Sequence, residues 1–387
     1  MQTIDAPGAW LATGDDRAKV RLPGTTRAQP PEATLEMARR AAQRVGVTRV
    51  ADITRLDTIG IPTYQAIRPL SRTLAVSQGK GVTAELARLS AMLESVEIWH
   101  VEQPMPPAVT GTPAELADRL GYDVAALARS APSLLHDALP LAWVPGRSLG
   151  DGTPTLLPRD VVRLSLEAPT DWQPPVFFSS TNGLASGNTR VEAVLHGLYE
   201  VIERDAVTAS VQGGDRGVRV DPRSGGVADD LCTAIERAGV AMEVRLLPSG
   251  TGLPVFLAWL SCDDYPAAMY GFGCHLDPEI ALTRAITEAA QTRLSYVAGA
   301  RDDLQSDIDD GGVRRRKEPS GPVSDLADVL PLPVDTSSLA DDLAYVTDRA
   351  TAAFAHCPLV ADLTRDDIGV PVVKVVAPGA RICPEVL

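Results

Sequence analysis

Three stretches of the chain carry acids at one repeated spacing. Counting from Thr83, Thr189 and Asp277, an alanine stands four residues on (Ala87, Ala193, Ala281) and an acid eleven residues on (Glu94, Glu200, Glu288). Fourteen residues on come Glu97, Glu203 and Gln291. Positions eleven and fourteen are i, i+3 neighbours, so on a helix both side chains leave one face. Oxygen ligands drawn from separate helices suit Mg²⁺, a hard cation that keeps several of its waters and often carries phosphates. The competing account makes each stripe an ordinary solvated helix face.

The composition of the faces separates these accounts. In the second stretch Glu192, His196, Glu200 and Glu203 form a narrow polar stripe, apart from an apolar arc of Val191, Val194, Leu195, Leu198, Tyr199, Val201 and Ile202. No lysine offsets those acids, so they need a cation or solvent between them. In the first stretch Glu94 and Glu97 lie among Ala87, Ser90, Ala91 and Val101, where carboxylates are partly buried and costly unless paired or metal-bound. In the third, Arg284, Glu288, Gln291 and Ser295 share a face and Arg293 falls on the opposite, mostly apolar side. His196 reads more simply as a structural histidine than as a base.

The elements that must position these groups are helices with marked beginnings. Thr83, Thr189 and Asp277 are N-cap residues; Thr189 with Glu192 makes a capping-box pattern, and Pro278 occupies a first helical position. Ser77–Thr83 reads as a glycine-containing loop before the first helix, and Ser186–Thr189 as a loop before the second. Glycine lets backbone N–H groups approach an anion, and a helix N-terminus favours negative charge. Lys80 could neutralise a phosphate, and Asn188 could ligate a metal or a phosphate. The first loop lacks the G-x-x-x-x-G-K-[ST] spacing of a P-loop.

Around these helices the patterning predicts an α/β (α+β) mixture. Residues 1–30 read as an irregular arm, followed by a helix over about 32–45 and strand signals over 47–53 and 59–67. Further helices are expected within 104–150, strands at 242–247, 254–260 and 267–272, a long mobile loop over 304–340, a helix at 340–354 and a strand at 370–377. The expected division is 1–46 as an N-terminal arm and helix, and 47–387 as a catalytic domain. The chain of 387 residues is 45% hydrophobic with a net charge of −14, which argues against nucleic acid as the main partner. Its five cysteines show no C-x-x-C pair, so neither a zinc site nor a disulfide framework is expected. No apolar stretch approaches the ~20 residues that span a bilayer, and the first residues lack a signal-peptide pattern, so a cytoplasmic protein is the expectation.

The runs Ser77–Glu97 (SQGKGVTAELARLSAMLESVE) and Thr181–Ala206 (TNGLASGNTRVEAVLHGLYEVIERDA) resemble two signature blocks of the YcaO family, and Ala281–Asp303 is similar to the third. The resemblance implies a YcaO-type fold of repeated loop–helix units around a nucleotide site, with ATP and Mg²⁺ as cofactors. The implied chemistry activates a peptide backbone amide. A nucleophile adds to the carbonyl, ATP phosphorylates the resulting oxygen, and phosphate leaves. A side-chain nucleophile gives an azoline, external sulfide a thioamide and a backbone amine an amidine. By position, Glu94, Glu97, Glu200 and Glu203 would hold magnesium, and Asn188, Glu192 and Arg204 would join the nucleotide site. Ser77, Lys80, Arg284, Glu288, Gln291 and Arg293 are further nucleotide-binding candidates, and no nucleophilic side chain of the enzyme itself is implied.

Two features depart from the azoline-forming members. The C-terminal run Ile382–Leu387 holds one proline and no PxPxP, and about 46 N-terminal residues are too few for a fused leader-peptide-binding domain. Both are similar to members that act with a separate TfuA-like partner or alone. Implied partners are a ribosomal precursor peptide, a separate TfuA-like or leader-peptide-binding protein, and a second copy in a homodimer; no membrane is implied. Two other readings stay open: an ATP-dependent small-molecule ligase or kinase, and a non-catalytic nucleotide-binding scaffold.

Overall fold

The computed structural model describes residues 18–164, 176–223, 225–263, 268–300, 321–330, 334 and 336–383. The described chain begins with a hairpin, β1 (Val20–Leu22) and β2 (Thr25–Arg27), then α1 (Pro31–Arg44), β3 (Arg49–Asp52), β4 (Thr63–Ile67), β5 (Val76–Lys80) and α2 (Ala84–Glu102). It continues through β6 (Val109–Gly111), α3 (Pro113–Leu120), β7 (Leu141–Ser148), β8 (Pro154–Pro158), α4 (Arg159–Val162), β9 (Leu184–Ser186) and α5 (Arg190–Gly213). Then come β10 (Val218–Val220), α6 (Val227–Arg237), β11 (Ala241–Leu247), β12 (Val255–Ser261), β13 (Met269–Cys274) and α7 (Pro278–Ala298). The last elements are α8 (Leu326–Val329), α9 (Leu339–Phe354), β14 (Leu359–Asp362) and β15 (Val372–Val376).

These elements sort into two interleaved units. The first comprises Met1–Lys19, Glu97–Thr208 and Thr336–Leu387; the second comprises Val20–Val96 and Ala209–Asp335. In the first, a six-stranded sheet runs β6-β7-β14-β15-β9, with β8 paired to β7. Its core gathers Leu116, Leu141, Trp143, Leu157, Val162 and Leu359. In the second, the sheets β3-β4-β5 and β10-β11-β12-β13 are all antiparallel. Phe256, Ala258 and Leu260 of β12 pack with Ala281, Ala285, Ile286 and Ala289 of α7, while Ala38 and Ala42 of α1 pack with Leu89 and Met92 of α2. The alternation of buried and half-buried residues along β12 is the period-2 pattern of a strand covered on one face.

The mixed helix–strand architecture agrees with the sequence expectation, and most of the elements given explicit bounds lie within two residues of them, β4 being an exception that starts at Thr63 rather than at 59. Some parts depart from that expectation. The expected arm over 1–30 holds the β1–β2 hairpin, because Pro23-Gly24 makes a tight turn with Gly24 at φ +68° between two short extended runs. The stretch 104–150 holds one helix of more than a turn, α3, and otherwise strands and loops. There Pro145-Gly146 reads locally as a turn, but β7 is held as a strand by pairing with β8 and β14. Ser77–Lys80 belongs to β5 rather than to a loop, because it pairs with β4 along its length and lies against α2. The strand expected at 267–272 forms at Met269–Cys274, residue 267 lying outside the described residues. Much of the expected loop 304–340 also lies outside them; the described part includes the single turn α8.

Candidate functional site

In the second unit, β5 runs tightly along α2. A Cβ added at Gly79 would fall on the backbone of Ala87 and Ala91, so only glycine allows the strand to lie on the helix. The same construction recurs where Gly273 of β13 meets the backbone of Ala281 and Ala285 on α7. The alanines found by spacing are therefore the helix side of a strand–helix contact. Thr83 accepts from Leu86 N (3.2 Å), and Asp277 accepts from Glu279 N and Ile280 N, so both act as the expected caps.

That close approach brings main-chain amides to the helix acids. Gln78 N donates to Glu94 Oε2 at 3.0 Å. Ser77 and Gln78 are buried, and the Ser295 hydroxyl lies within hydrogen-bonding reach of two acceptors, Gln78 Oε1 and Gln291 O. Lys80 Nζ meets Glu288 Oε2 at 2.6 Å, with both side chains about one-fifth exposed (22% and 18%). Arg284 lies four residues before Glu288 on α7, half-buried, and its Nε has no hydrogen-bond partner. Arg293, named as a nucleotide candidate from the opposite face of the helix, is engaged with other groups. Its Nε meets Asp57 Oδ2 at 2.9 Å and its Nη1 donates to Cys262 Sγ at 3.1 Å. Burial works most strongly against its charge, but Asp57 and Cys262 together more than offset this and hold its pKa above the ordinary value.

In the first unit, Ser186 N and Oγ both donate to Glu97 Oε1, at 2.8 and 2.6 Å. Thr189 accepts from Glu192 N at 3.1 Å, the cap the sequence predicted. The Glu192 carboxylate, 2% exposed, reaches one residue beyond the cap and accepts from Asn188 N (3.2 Å) and Asn188 Nδ2 (3.0 Å). Gly187 has no room for a Cβ between Ala193 N and the Glu192 side chain, so the chain entering α5 is drawn tight. Further along α5, Glu200 is half-buried, Glu203 is buried, and Arg204 Nη2 lies 3.7 Å from Glu203 Oε1. Next to them, buried Asp205 takes a two-pronged bond from Arg381 (2.9 Å on each oxygen) and a third from Arg381 N at 2.8 Å.

Sequence reasoning missed Lys374. It sits in β15, 3% exposed, and its Nζ donates to Ser180 O at 2.5 Å. Burial pushes the ammonium down to about 8, and the charge of Glu200 partly counters that fall. A signal was present: one lysine interrupts the run Val370–Val376, and a charge in the middle of a buried strand needs a reason. The roles of Asp205 and Arg381 were also missed, since nothing in their spacing ties residues so far apart in the chain.

Among the described residues no group of three or more His, Cys, Asp or Glu side chains is arranged as a ready metal cage. The donors still fit magnesium, because Glu94, Glu97, Glu200 and Glu203 offer hard carboxylate oxygens in half-buried or buried positions, with no soft ligand in the set. Mg²⁺ on one or two carboxylates completes its shell with water and phosphate oxygens, so a protein cage is not required. Among the described residues no helix is long and apolar enough to cross a membrane.

A profile of the family described as YcaO cyclodehydratase, ATP- and Mg²⁺-binding, matches residues 78–381. An uncharacterised protein of Mycobacterium tuberculosis (strain H37Rv) is 37% identical over 379 residues, covering 96% of this chain and 86% of the relative. A protein of Rhizobium leguminosarum bv. trifolii, named only as lying in the tfuA 3′ region, is 33% identical over 382 residues, covering 92% of this chain and 89% of the relative. Among solved structures, YcaO from Methanopyrus kandleri bound with AMPPCP and Mg²⁺ superposes with a TM-score of 0.74 at 28% identity, covering 94% of each chain. A heterocyclase in complex with substrate and cofactor shares the fold, with a TM-score of 0.77 at 24% identity over 97% of this chain and 55% of that one. With a family match spanning most of its length and both glutamate pairs inside that match, the chain belongs to the YcaO family.

Proposed function

We propose that the chain is an ATP- and Mg²⁺-dependent enzyme that activates a backbone amide of a ribosomal peptide, giving a thioamide or an azoline/amidine. The observation that carries this reading is the pair of i, i+3 glutamates on α2 and on α5, both within the family match. ATP supplies the phosphoryl group that turns the amide oxygen into a leaving group, and Mg²⁺ screens the charge on its phosphates. Glu94, Glu97, Glu200 and Glu203 are assigned to the metal, and Asn188, Glu192 and Arg204 to the nucleotide. Ser77, Lys80, Arg284, Glu288 and Gln291 are further candidates for the nucleotide. Arg293, committed to Asp57 and Cys262, ranks last among them.

What these residues do is preorganise. Ser186 holds one oxygen of Glu97, Gln78 N holds one oxygen of Glu94, and Asn188 holds Glu192, so the acids need little reorientation when a ligand arrives. The relative named for the tfuA region favours a thioamide made with a TfuA-like partner. The test incubates the protein with precursor peptide, MgATP, sulfide and a TfuA-like protein and follows peptide mass. Exchange of oxygen for sulfur supports the thioamide, and loss of water supports the azoline or amidine. Unchanged peptide in every mixture would overturn the reading.

A further inference from the structure

One stretch of this acidic chain is rich in positive charge. Residues 39–88 hold nine lysines and arginines against three acids, whereas the whole chain has 36 against 50. Arg39, Arg40, Arg44, Arg49, Arg55 and Arg72 are exposed. The topology of the second unit groups most of them. Arg39, Arg40 and Arg44 lie in the C-terminal half of α1, which leads within a few residues into β3 at Arg49. Arg49 pairs with Ile67, and Ile67 with Val76, so the turn between β4 and β5 comes to the Arg49 end of the sheet. That turn carries Arg72 and presents Leu70 at 90% exposure. It is firmly built, for Arg68 N donates to Ala75 O (2.8 Å), Ser71 N to Arg68 O (3.0 Å) and Arg68 Nη2 to Ser71 Oγ (2.9 Å).

The sheet that these arginines flank ends in an edge strand. Among the described strands β3 pairs with β4 alone, which makes it the outer member of β3-β4-β5. An outer strand offers main-chain groups to an added one. We propose that the β3 edge, the β4–β5 turn and the C-terminal half of α1 form a docking surface for an acidic, extended peptide segment. The guanidinium forks match carboxylates two by two, the edge takes the peptide backbone, and Leu70 takes an apolar side chain of the guest. Nucleic acid and lipid headgroups could use the arginines but not the strand edge, and the net charge of −14 opposes a long polyanion. This deepens the peptide reading of the substrate and rests on it.

The test uses the full-length protein and a fluorescein-labelled peptide of alternating glutamate and valine. A lysine-for-glutamate version, single-stranded DNA and phosphatidylserine vesicles serve as comparators. The acidic peptide should bind, and its affinity should fall steeply with added salt. The triple variant Arg39→Glu, Arg49→Glu, Arg72→Glu should bind at least about tenfold more weakly. Arg237→Glu, exposed on α6, should bind as wild type does. If circular dichroism shows the triple variant misfolded, glutamine at the same three positions replaces it, with the same weakening expected. Hydrolysis of ATP without peptide is followed in parallel, so loss of the nucleotide reading would show there while peptide binding is judged separately. Equal binding by the folded triple or glutamine variant would overturn the proposal. So would arginine-dependent preference for DNA or vesicles over the acidic peptide.

Discussion

Single side chains divide into those whose loss should disturb the fold and those whose loss should disturb only chemistry. Glu97 is in the first group when truncated, because buried Ser186 would lose its acceptor, at a cost of about 1–3 kcal/mol. Glutamine keeps an acceptor oxygen and removes only the charge. Glu97→Gln should therefore melt within a few degrees of wild type yet lose ATP turnover by roughly a hundredfold, as read by phosphate release. Glu200→Ala should likewise abolish turnover with the far-ultraviolet circular dichroism unchanged. Near-wild-type turnover in either variant would remove that residue from the metal site. Lys374 gives a pH test in metal-free protein. Its folded pKa of about 8 lies below the 10.5 of an ordinary lysine, so between these values the unfolded chain holds a proton that the folded chain has released. Wild type should gain stability as pH rises through this window, and Lys374→Met should lack that gain. Urea midpoints of both proteins over the same pH series decide it, and parallel curves would sink the account.

Elements are where sequence and structure can be compared. The helix starts were legible because Thr83, Thr189 and Asp277 act locally, each bonding N–H groups two or three residues ahead. The acid stripes were legible because helix period alone fixes which side chains share a face. Strand β5 was not legible, since Ser77-Gln78-Gly79-Lys80 has turn composition and becomes a strand by pairing with β4 and lying against α2. Lys374 was hidden similarly, because its burial depends on the sheet around β15 rather than on its own neighbours. The tight approach yields a prediction at this scale. Gly79→Ala should cost at least about 1–3 kcal/mol, because the obstacle is helix backbone and not a side chain that can swing away. Gly213→Ala is the control, since nothing lies within 4 Å of a Cβ there at the end of α5, and it should be neutral or mildly stabilising. Chemical unfolding of both variants checks the contrast, and equal costs would refute the packing argument.

For the whole molecule, nucleotide binding should show in stability. A ligand that binds only the folded chain raises its stability by about 2.7 kcal/mol at a hundred times its dissociation constant. MgATP should therefore raise the melting midpoint, and a chelator of divalent cations should remove most of that rise while nucleotide is still present. An undiminished rise after chelation would separate nucleotide binding from the metal. The interleaving of the two units bears on how the chain is made. The first unit draws on Glu97–Thr208 and on Thr336 onward, and the second on Val20–Val96 and Ala209–Asp335, so neither is a continuous stretch. A ribosome therefore cannot release one finished unit before beginning the other. Strand β9 must wait for β15, its partner nearly 190 residues downstream, before the pair can form. During synthesis the nascent first half holds unmatched strands and apolar helix faces, which makes early chain segments the natural clients of chaperones and leaves little prospect that either half expresses as a folded fragment.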